Sequence, residues 1–331
     1  MITVTIYTDK DDTILDQLKA DLDSLQSTVE HQVVTIDIDA DETIRSEMHG
    51  STPLVKVGPY TLRPPFTRQD LEVTLRSAQD RVKYYQDDSE YMKRVERGRH
   101  VSGADRFSYW FSKRYMLVLN ALVLLFVGLP FLAPVMMKQG LTGPARVIYA
   151  VYSPLCHQLS FRSWFLFGEQ AYYPRELAGI EDVVSYEELT QSETIDLYAA
   201  RRFVGNETVG YKVAFCQRDI AIYGGIFLFG VIFALTGRKI PGLKWYLWVL
   251  FGLVPIGIDG SSQLPSLAKS FFPSWMIIRE STPLLRSATG LLFGITTAWF
   301  MYPMIEETML ETRKILGQKM EVYRQTQKAN R

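Results

Sequence analysis

The sequence predicts a small α/β domain followed by an α-helical transmembrane bundle of about four spans. Residues 1–113 are polar and charged, whereas three later segments hold no charged side chain: 115–135, 220–236 and 287–305. Uncharged runs of this length are typical of helices that cross a lipid bilayer. The chain has 36 basic and 36 acidic residues, so no net charge would attract nucleic acid. These observations indicate a multi-pass membrane protein with the lipid bilayer as its partner, and they argue against a soluble two-domain enzyme.

The first 85 residues alternate between strand and helix patterns. Segments rich in β-branched residues and segments with helical spacing of apolar residues follow one another in the order βαβαββα. Gly58-Pro59 marks the turn of a hairpin, and Thr67 is suited to cap the last helix. The predicted strands are 2–7, 33–38, 54–57 and 60–62, and the predicted helices are 13–25, 41–48 and 67–85.

Two motifs in this domain carry a resemblance to a known family. Ile6-Tyr7-Thr8 ends the first strand, and Ser51-Thr52-Pro53-Leu54-Val55 leads into the third. With the element order, they resemble glutaredoxins, which have the thioredoxin fold. That family carries Cys-x-x-Cys after the first strand, but the corresponding positions here are Asp12 and Leu15. Since disulfide exchange needs a thiolate, residues 1–85 are predicted to be a glutaredoxin-like domain that docks a cytoplasmic protein partner or serves as a scaffold.

Basic residues set the predicted orientation of the spans. They are frequent in the juxtamembrane linker 86–114 and in the link 237–244 between the second and third spans. Because Lys and Arg beside a span stay in the cytoplasm, both termini are predicted to be cytoplasmic in a four-span protein of the cell membrane. The predicted spans are 115–135, 220–236, 245–258 and 287–305, within a transmembrane domain 115–305 that carries an extracytoplasmic insertion at 172–215 and is followed by a cytoplasmic helical tail at 306–331.

Several apolar segments are interrupted. Pro130 and Pro134 are expected to kink or unwind the far end of the first span. Segments 147–167 and 264–278 are apolar but contain one basic residue each, so they are predicted to be interfacial or re-entrant helices. If one of them crosses the membrane instead, the topology changes.

Two motifs about sixty residues apart contain the side chains best suited to hold a metal ion. The first is Cys156-His157-Gln158, and the second is Cys216-Gln217-Arg218-Asp219. Thiolate, imidazole and carboxylate groups bind zinc, copper and iron. Cys156, His157, Cys216 and Asp219 are therefore predicted to form a four-ligand site, with zinc or iron as its cofactor. A disulfide between Cys156 and Cys216 is the alternative in an oxidising compartment.

The same motifs belong to a longer pattern that resembles a known family. Around them, and towards the end of the chain, stand Arg162-Ser163, Phe165-Leu166-Phe167-Gly168, Gln170, Tyr223-Gly224-Gly225, Pro255, Ile258-Asp259-Gly260, Gln263, Glu280-Ser281-Thr282, Arg286, Thr289-Gly290 and Gly294. Over about residues 115–305 this pattern is similar to the family of predicted membrane proteins with the domain of unknown function DUF2085.

That resemblance implies a bacterial or archaeal multi-pass membrane protein and no particular biochemical activity. The chain departs from the family pattern in two places. Asp219 stands where the second motif usually ends in Cys, and about forty residues are inserted between Gln170 and Cys216. A carboxylate also binds zinc or iron, and a third thiol in the family favours metal ligation over a bare disulfide.

Charged residues near the ends of the spans form a second group of candidates. The segment 245–258 would extend only about 21 Å as a helix, which is shorter than the bilayer core, so Asp259 is predicted to lie within the membrane. A carboxylate there needs a partner, and Arg286 is the expected one. The candidate catalytic residues are Asp259, Arg286, Glu280 and Gln263. A purely structural ion pair is the alternative interpretation.

Three functions remain open from the sequence. The leading hypothesis is metal binding on the extracytoplasmic side, which would serve a membrane enzyme or the passage of a small ligand. The second is thiol-disulfide redox chemistry by Cys156 and Cys216. The third is a structural or assembly role in which the cytoplasmic domain recruits a protein partner. The absence of a Walker loop, Gly-x-Ser-x-Gly and His-Glu-x-x-His argues against nucleotide hydrolysis and the common hydrolases.

Overall fold

The computed structural model describes residues 2–9, 14–38, 53–85, 100–192, 195–267 and 278–329, together with residues 88, 90, 93, 273 and 275. The chain forms two compact units. The first consists of Met1–Arg114 and Glu307–Arg331, and the second of Tyr115–Glu306. Each is described by itself below.

The first unit contains a mixed four-stranded sheet. Its strands are β1 (Ile2–Thr8), β2 (His31–Asp37), β3 (Leu54–Val57) and β4 (Tyr60–Leu62), in the order β2-β1-β3-β4. Strand β1 runs parallel to β2 and antiparallel to β3, which pairs with β4 as a hairpin. Helices α1 (Leu15–Leu25) and α2 (Arg68–Tyr84) bury their apolar faces in the core of this sheet.

The predicted α/β class of this unit is confirmed, and so are its four strands and two of its helices. Thr67 caps α2 as expected, in a reciprocal capping box with Asp70. The predicted helix 41–48, Asp12 and Thr52 lie outside the described residues. The resemblance to glutaredoxins therefore stays a prediction.

The residues that flank the spans also belong to the first unit. They are the first turns of helix α3 (Gly103–Lys138) and the last turns of the final helix, and they pack together. Arg313 donates to the carbonyl oxygen of Ser112 (2.9 Å), and Lys319 pairs with Asp105 (2.9 Å). The ends of the first and last spans that enter this unit therefore lie on one side, as an even number of crossings requires.

Among the described residues, four helices are long and apolar enough to cross a membrane, as predicted. The second unit contains most of α3, the short helix α4 (Thr142–Tyr152) and the short elements of the insertion described below. The other spans are α7 (Gln217–Leu235), α8 (Trp245–Ser266) and α9 (Pro283–Ala329). The numbers α5 and α6 are given to two short helices of the insertion, Tyr186–Thr190 and Leu197–Arg202.

The structure bears on two expectations about the ends of the spans. Helix α3 continues through Pro130 and Pro134 to Lys138, so its far end is helical and not unwound. Helix α8 does not stop at residue 258 but reaches Ser266, with a π-helical stretch at Val249–Leu253. The polar residues from Asp259 onward resemble the end of a span in the sequence, but their side chains are bound to protein partners, so the helix can continue.

The segment 147–167 does not form a membrane-crossing helix. Helix α4 ends at Tyr152, and the chain then forms a 3-10 turn at Ser160–Arg162 and strand β5 (Ser163–Leu166). Much of the segment 264–278 lies outside the described residues. The insertion adds strands β6 (Gly205–Asn206) and β7 (Gly210–Cys216), in a second sheet with the order β5-β7-β6. Strand β7 runs directly into α7, and the junction between them carries the candidate site.

The span α9 packs closely against α7 through glycines. A Cβ atom on Gly290 would lie 2.7 Å from the carbonyl oxygen of Arg218, and one on Gly294 would overlap the carbonyl oxygen of Ile222. On the opposite helix, a Cβ on Gly225 would lie 2.7 Å from the carbonyl oxygen of Leu291. The Gly-x-x-x-Gly at 290–294 thus permits backbone contact between the two spans, as its sequence spacing indicates.

Gly294→Ala should destabilise the bundle because the added methyl group meets backbone, which cannot move aside as a side chain can. We expect a loss of about 1–3 kcal/mol, measured as a lower unfolding temperature of the full-length protein in detergent. Gly224→Ala is the matched control, since nothing lies within 4 Å of the added atom. Equal stability of the two variants would contradict the close packing.

The predicted orientation can be tested with reporter fusions. A reporter inserted in 237–244 should report the cytoplasm because this link carries a basic cluster, and one after residue 331 should do the same because two predicted crossings separate the two positions. A reporter inserted within 181–196 should report the opposite side. A result that places 181–196 and the C-terminus on the same side would show that the number of crossings is wrong.

Candidate functional site

Cys156, Cys216 and Asp219 form a compact group, here called the thiol cluster. One ligand atom from each lies within 4.8 Å of the others, and both cysteines are free thiols. Cys216 is the last residue of β7 and the N-cap of α7, and Asp219 lies in the first turn of that helix. The Sγ of Cys216 donates to Oδ2 of Asp219 (3.0 Å). The end of a strand and the start of a helix thus place two of the three side chains.

Cys156 reaches the cluster from the loop that follows α4. Its thiol is buried, and its Sγ accepts the backbone N–H groups of Gln158 (3.4 Å) and Cys216 (3.3 Å). Gln158 has a positive φ of 51°, and its buried amide donates to the carbonyl oxygens of Tyr149 and Ala214. These bonds fix the turn that aims Cys156 at β7. The neighbouring side chain of Cys216 and burial together raise the pKa of the Cys156 thiol.

His157 was predicted as a fourth ligand, but it lies outside the thiol cluster, and its side chain is exposed. The neighbours Cys156 and Gln158 are both buried. The loop that turns Cys156 and Gln158 inward thus leaves the side chain of His157, which lies between them, in solvent. The sequence spacing alone did not reveal this alternation.

Lys212 lies close to the thiol cluster and was not a sequence candidate. Its side chain is fully buried, and its ammonium donates to the carbonyl oxygens of Gln158 (2.8 Å) and Arg201 (2.7 Å). Burial lowers the pKa of Lys212 to about 7, while the neighbouring charge of Cys156 acts in the opposite direction. A positive charge on Lys212 therefore favours the thiolate form of Cys156.

A second group, here called the arginine–carboxylate cluster, surrounds the buried carboxylates Glu280 and Asp259. Arg162 binds Glu280 through both Nε (2.9 Å) and Nη2 (3.1 Å), and Arg286 binds it as well. The hydroxyl of Ser266 donates to Glu280 (3.0 Å). The insertion contributes Arg175 and Glu187 to the same cluster. The Nη1 of Arg175 lies 3.8 Å from Oε2 of Glu280, and its Nε lies 3.2 Å from Oε1 of Glu187.

The partner predicted for Asp259 was wrong. Arg218 and Arg279 pair with this carboxylate, and Arg286 pairs with Glu280 instead. Gln263 connects the two pairs, since its amide donates to Asp259 (3.2 Å) and its oxygen accepts from Arg286 (2.8 Å). Arg286 turns to Glu280 because the chain at 278–282 brings this acid beside the first turn of α9.

All four predicted catalytic candidates thus lie in one buried cluster, although their pairing differs from the expectation. Arg175 and Glu187 were missed because the insertion reads as a solvated acidic segment. One signal was available, since Arg175 is the sole basic residue between 172 and 200. Such a cation in acidic surroundings is a candidate for an ion pair with a partner elsewhere in the fold.

The apolar helices and the buried ionic cluster at their ends define an integral membrane protein with a helical bundle. Residues 207–300 match the model of the family described as predicted membrane protein (DUF2085), which confirms the expected resemblance for this part of the chain. The uncharacterized protein MJ1492 of Methanocaldococcus jannaschii is 27% identical over 211 residues, which cover 61% of this chain and 99% of the relative. No solved structure matches the chain.

Glu280→Gln should strongly destabilise the protein, because it removes the charge that Arg162 and Arg286 share in a buried place. We expect a loss of about 3–5 kcal/mol, visible as a lower unfolding temperature in detergent and a lower yield. Glu207→Gln, at an exposed position of the insertion, is the matched control. A Glu280→Gln variant as stable as this control would show that the ion pairs contribute little.

Proposed function

We propose that this membrane protein binds one transition-metal ion through Cys156, Cys216 and Asp219. The supporting observation is their convergence: three potential ligand atoms from chain segments about sixty residues apart lie within 4.8 Å of one another. Two thiolates and a carboxylate suit zinc or iron. These groups are costly to bury separately, but a cation bound to all three would offset that cost.

The thiol cluster has N–H donors that would stabilise its thiolates once a bound cation offsets the burial that raises the pKa of Cys156. Two backbone N–H groups point at the Sγ of Cys156, and a third, from Asp219, points at the Sγ of Cys216 (3.5 Å). The start of α7 carries partial positive charge beside Cys216 and Asp219. The metal would displace the proton that Cys216 now shares with Asp219.

Three protein ligands leave one position of a tetrahedral ion open. Open positions are typical of sites that bind water or substrate, whereas closed four-ligand sites are structural. The exposed His157 does not fill this position. The proposed ion is therefore suited to act on a small ligand, in a membrane enzyme or along a path through the bundle.

Thiol-disulfide exchange by Cys156 and Cys216 is the second candidate function, favoured by the proximity of two free thiols. Burial and a raised pKa disfavour the thiolate of Cys156 that would attack a disulfide. The third candidate, an assembly role of the first unit, needs neither a metal nor a disulfide. Metal content and the oxidation state of the cysteines separate the three.

Full-length protein purified in detergent should contain close to one zinc or iron per chain by elemental analysis. Cys156→Ser, Cys216→Ser and Asp219→Asn should lose most of it, because each removes one proposed ligand. His157→Gln should keep the metal, since this side chain lies outside the cluster, and it serves as the matched control.

Mass spectrometry without reductant completes the experiment. Metal-free protein with a Cys156–Cys216 disulfide would overturn the metal proposal in favour of redox chemistry. Metal-free protein with two free thiols would overturn both and leave the assembly role.

A further inference from the structure

The arginine–carboxylate cluster holds more positive than negative charge. Five arginines meet three carboxylates, and the ion pairs among them connect Arg162, Arg175, Arg218, Arg279 and Arg286 with Asp259, Glu187 and Glu280. Asp219 of the neighbouring thiol cluster can offset one of the two remaining charges. Within the described part of the chain, at least one positive charge is thus left without a matching anion in a largely buried place. Such an excess is costly unless an anion binds there.

The burial of the cluster is graded. The two carboxylates Asp259 and Glu280 lie deepest, with side chains 3% and 1% exposed. Arg162, Arg218 and Arg279 lie further out, with 18%, 21% and 38% of their side chains exposed. The two acids therefore form the inner layer of the cluster, and the three arginines that bind them form its more exposed outer layer.

The three outer arginines also lie near one another. Arg218 and Arg279 bind the two oxygens of the same carboxylate, Asp259. Burial and the positive charge of Arg218 lower the pKa of Arg162 to about 10. Cations that lie this close repel one another, and an anion bound among them would offset that repulsion.

We propose that the outer face of this cluster binds a phosphate group, held by Arg162, Arg218 and Arg279. Guanidinium groups bind phosphate through paired N–H donors, and a phosphate has enough oxygens to accept from three of them. A carboxylate has only two oxygens and a single charge. The phosphate offsets the excess positive charge of the cluster.

The position of the cluster matches that ligand. The spans α7 and α9 begin here, at Gln217 and Pro283, and α8 ends here at Ser266. The cluster therefore lies at one boundary of the apolar segments, where lipid phosphates and water-soluble phosphate esters are both within reach. The chemistry is shared by the two sources, and the experiment separates them. This inference uses its own residues and does not depend on a metal in the thiol cluster.

The test uses full-length protein in nanodiscs of phosphatidylcholine alone or with phosphatidylglycerol. Arg162→Lys and Arg218→Lys keep the charge but lose the paired donors. Arg202→Gln, at an exposed position of the insertion, is the matched control. The readouts are the affinity for inorganic phosphate, the retention of phosphatidylglycerol in native mass spectrometry, and the metal content of the same samples.

We expect wild type and Arg202→Gln to bind a phosphate group equally, and the two lysine variants to bind at least about tenfold more weakly. Saturable binding of inorganic phosphate in phosphatidylcholine points to a soluble ligand, and selective retention of phosphatidylglycerol points to a lipid. Unchanged metal content in the lysine variants shows that any loss belongs to the phosphate site. No binding by wild type, or equal binding by all variants, overturns the proposal.

A labelling measurement on wild type covers the case in which the lysine variants do not fold. Phenylglyoxal modifies accessible arginines, and peptide mass spectrometry identifies the modified positions. Phosphate should protect Arg218 and Arg279 from the reagent but not Arg202. Equal modification with and without phosphate or anionic lipid overturns the proposal.

Discussion

A buried carboxylate is stable only when its charge is matched nearby, and in this protein that requirement connects five separate parts of the second unit. Glu280 is bound by Arg162 from the start of β5, by Arg175 from the insertion and by Arg286 from α9. Asp259 adds α7 and α8 through its pair with Arg218. Hydrocarbon packing alone does not fix which helix ends meet. The ion pairs do, because a mismatched arrangement leaves charges without partners.

The first turn of α7 joins this ionic cluster to the thiol cluster. Cys216, Arg218 and Asp219 lie within four residues, and the acid faces the thiols while the arginine faces Asp259. Glycines let α9 approach this turn of α7 closely, since a Cβ atom on Gly290 would lie 2.7 Å from the carbonyl oxygen of Arg218. The charges of the two clusters therefore lie close to one another at the start of α7.

The sequence predicted the parts of the fold that depend on local pattern. The spans were predicted from the length of the uncharged segments. The strands of the first unit were predicted from segments rich in β-branched residues and from the turn residues between them. Predictions that depended on distant partners were less successful. Asp259 was paired with Arg286 because Glu280 could not be placed, and α8 was ended too early because bound polar residues look like an interface. The sequence also did not reveal that His157 is exposed or that Arg175 pairs with Glu280. The direction of a side chain, and a partner far along the chain, leave little local signal in a sequence.

The insertion contributes residues to both clusters of the candidate site. Its last strand, β7, carries the fully buried Lys212 and delivers Cys216 to the start of α7. Its first turn supplies Arg175, which reaches Glu280 more than one hundred residues later in the chain. Removing the segment 172–215 would take away the buried Lys212 and the ion pairs of Arg175, and Cys216 would lose most of the strand that places it. The sequence of the insertion is acidic and polar, yet Arg175 and Lys212 are buried. The chemistry of this protein therefore depends on a fold in which the segment outside the spans and the helix ends are built as one structure.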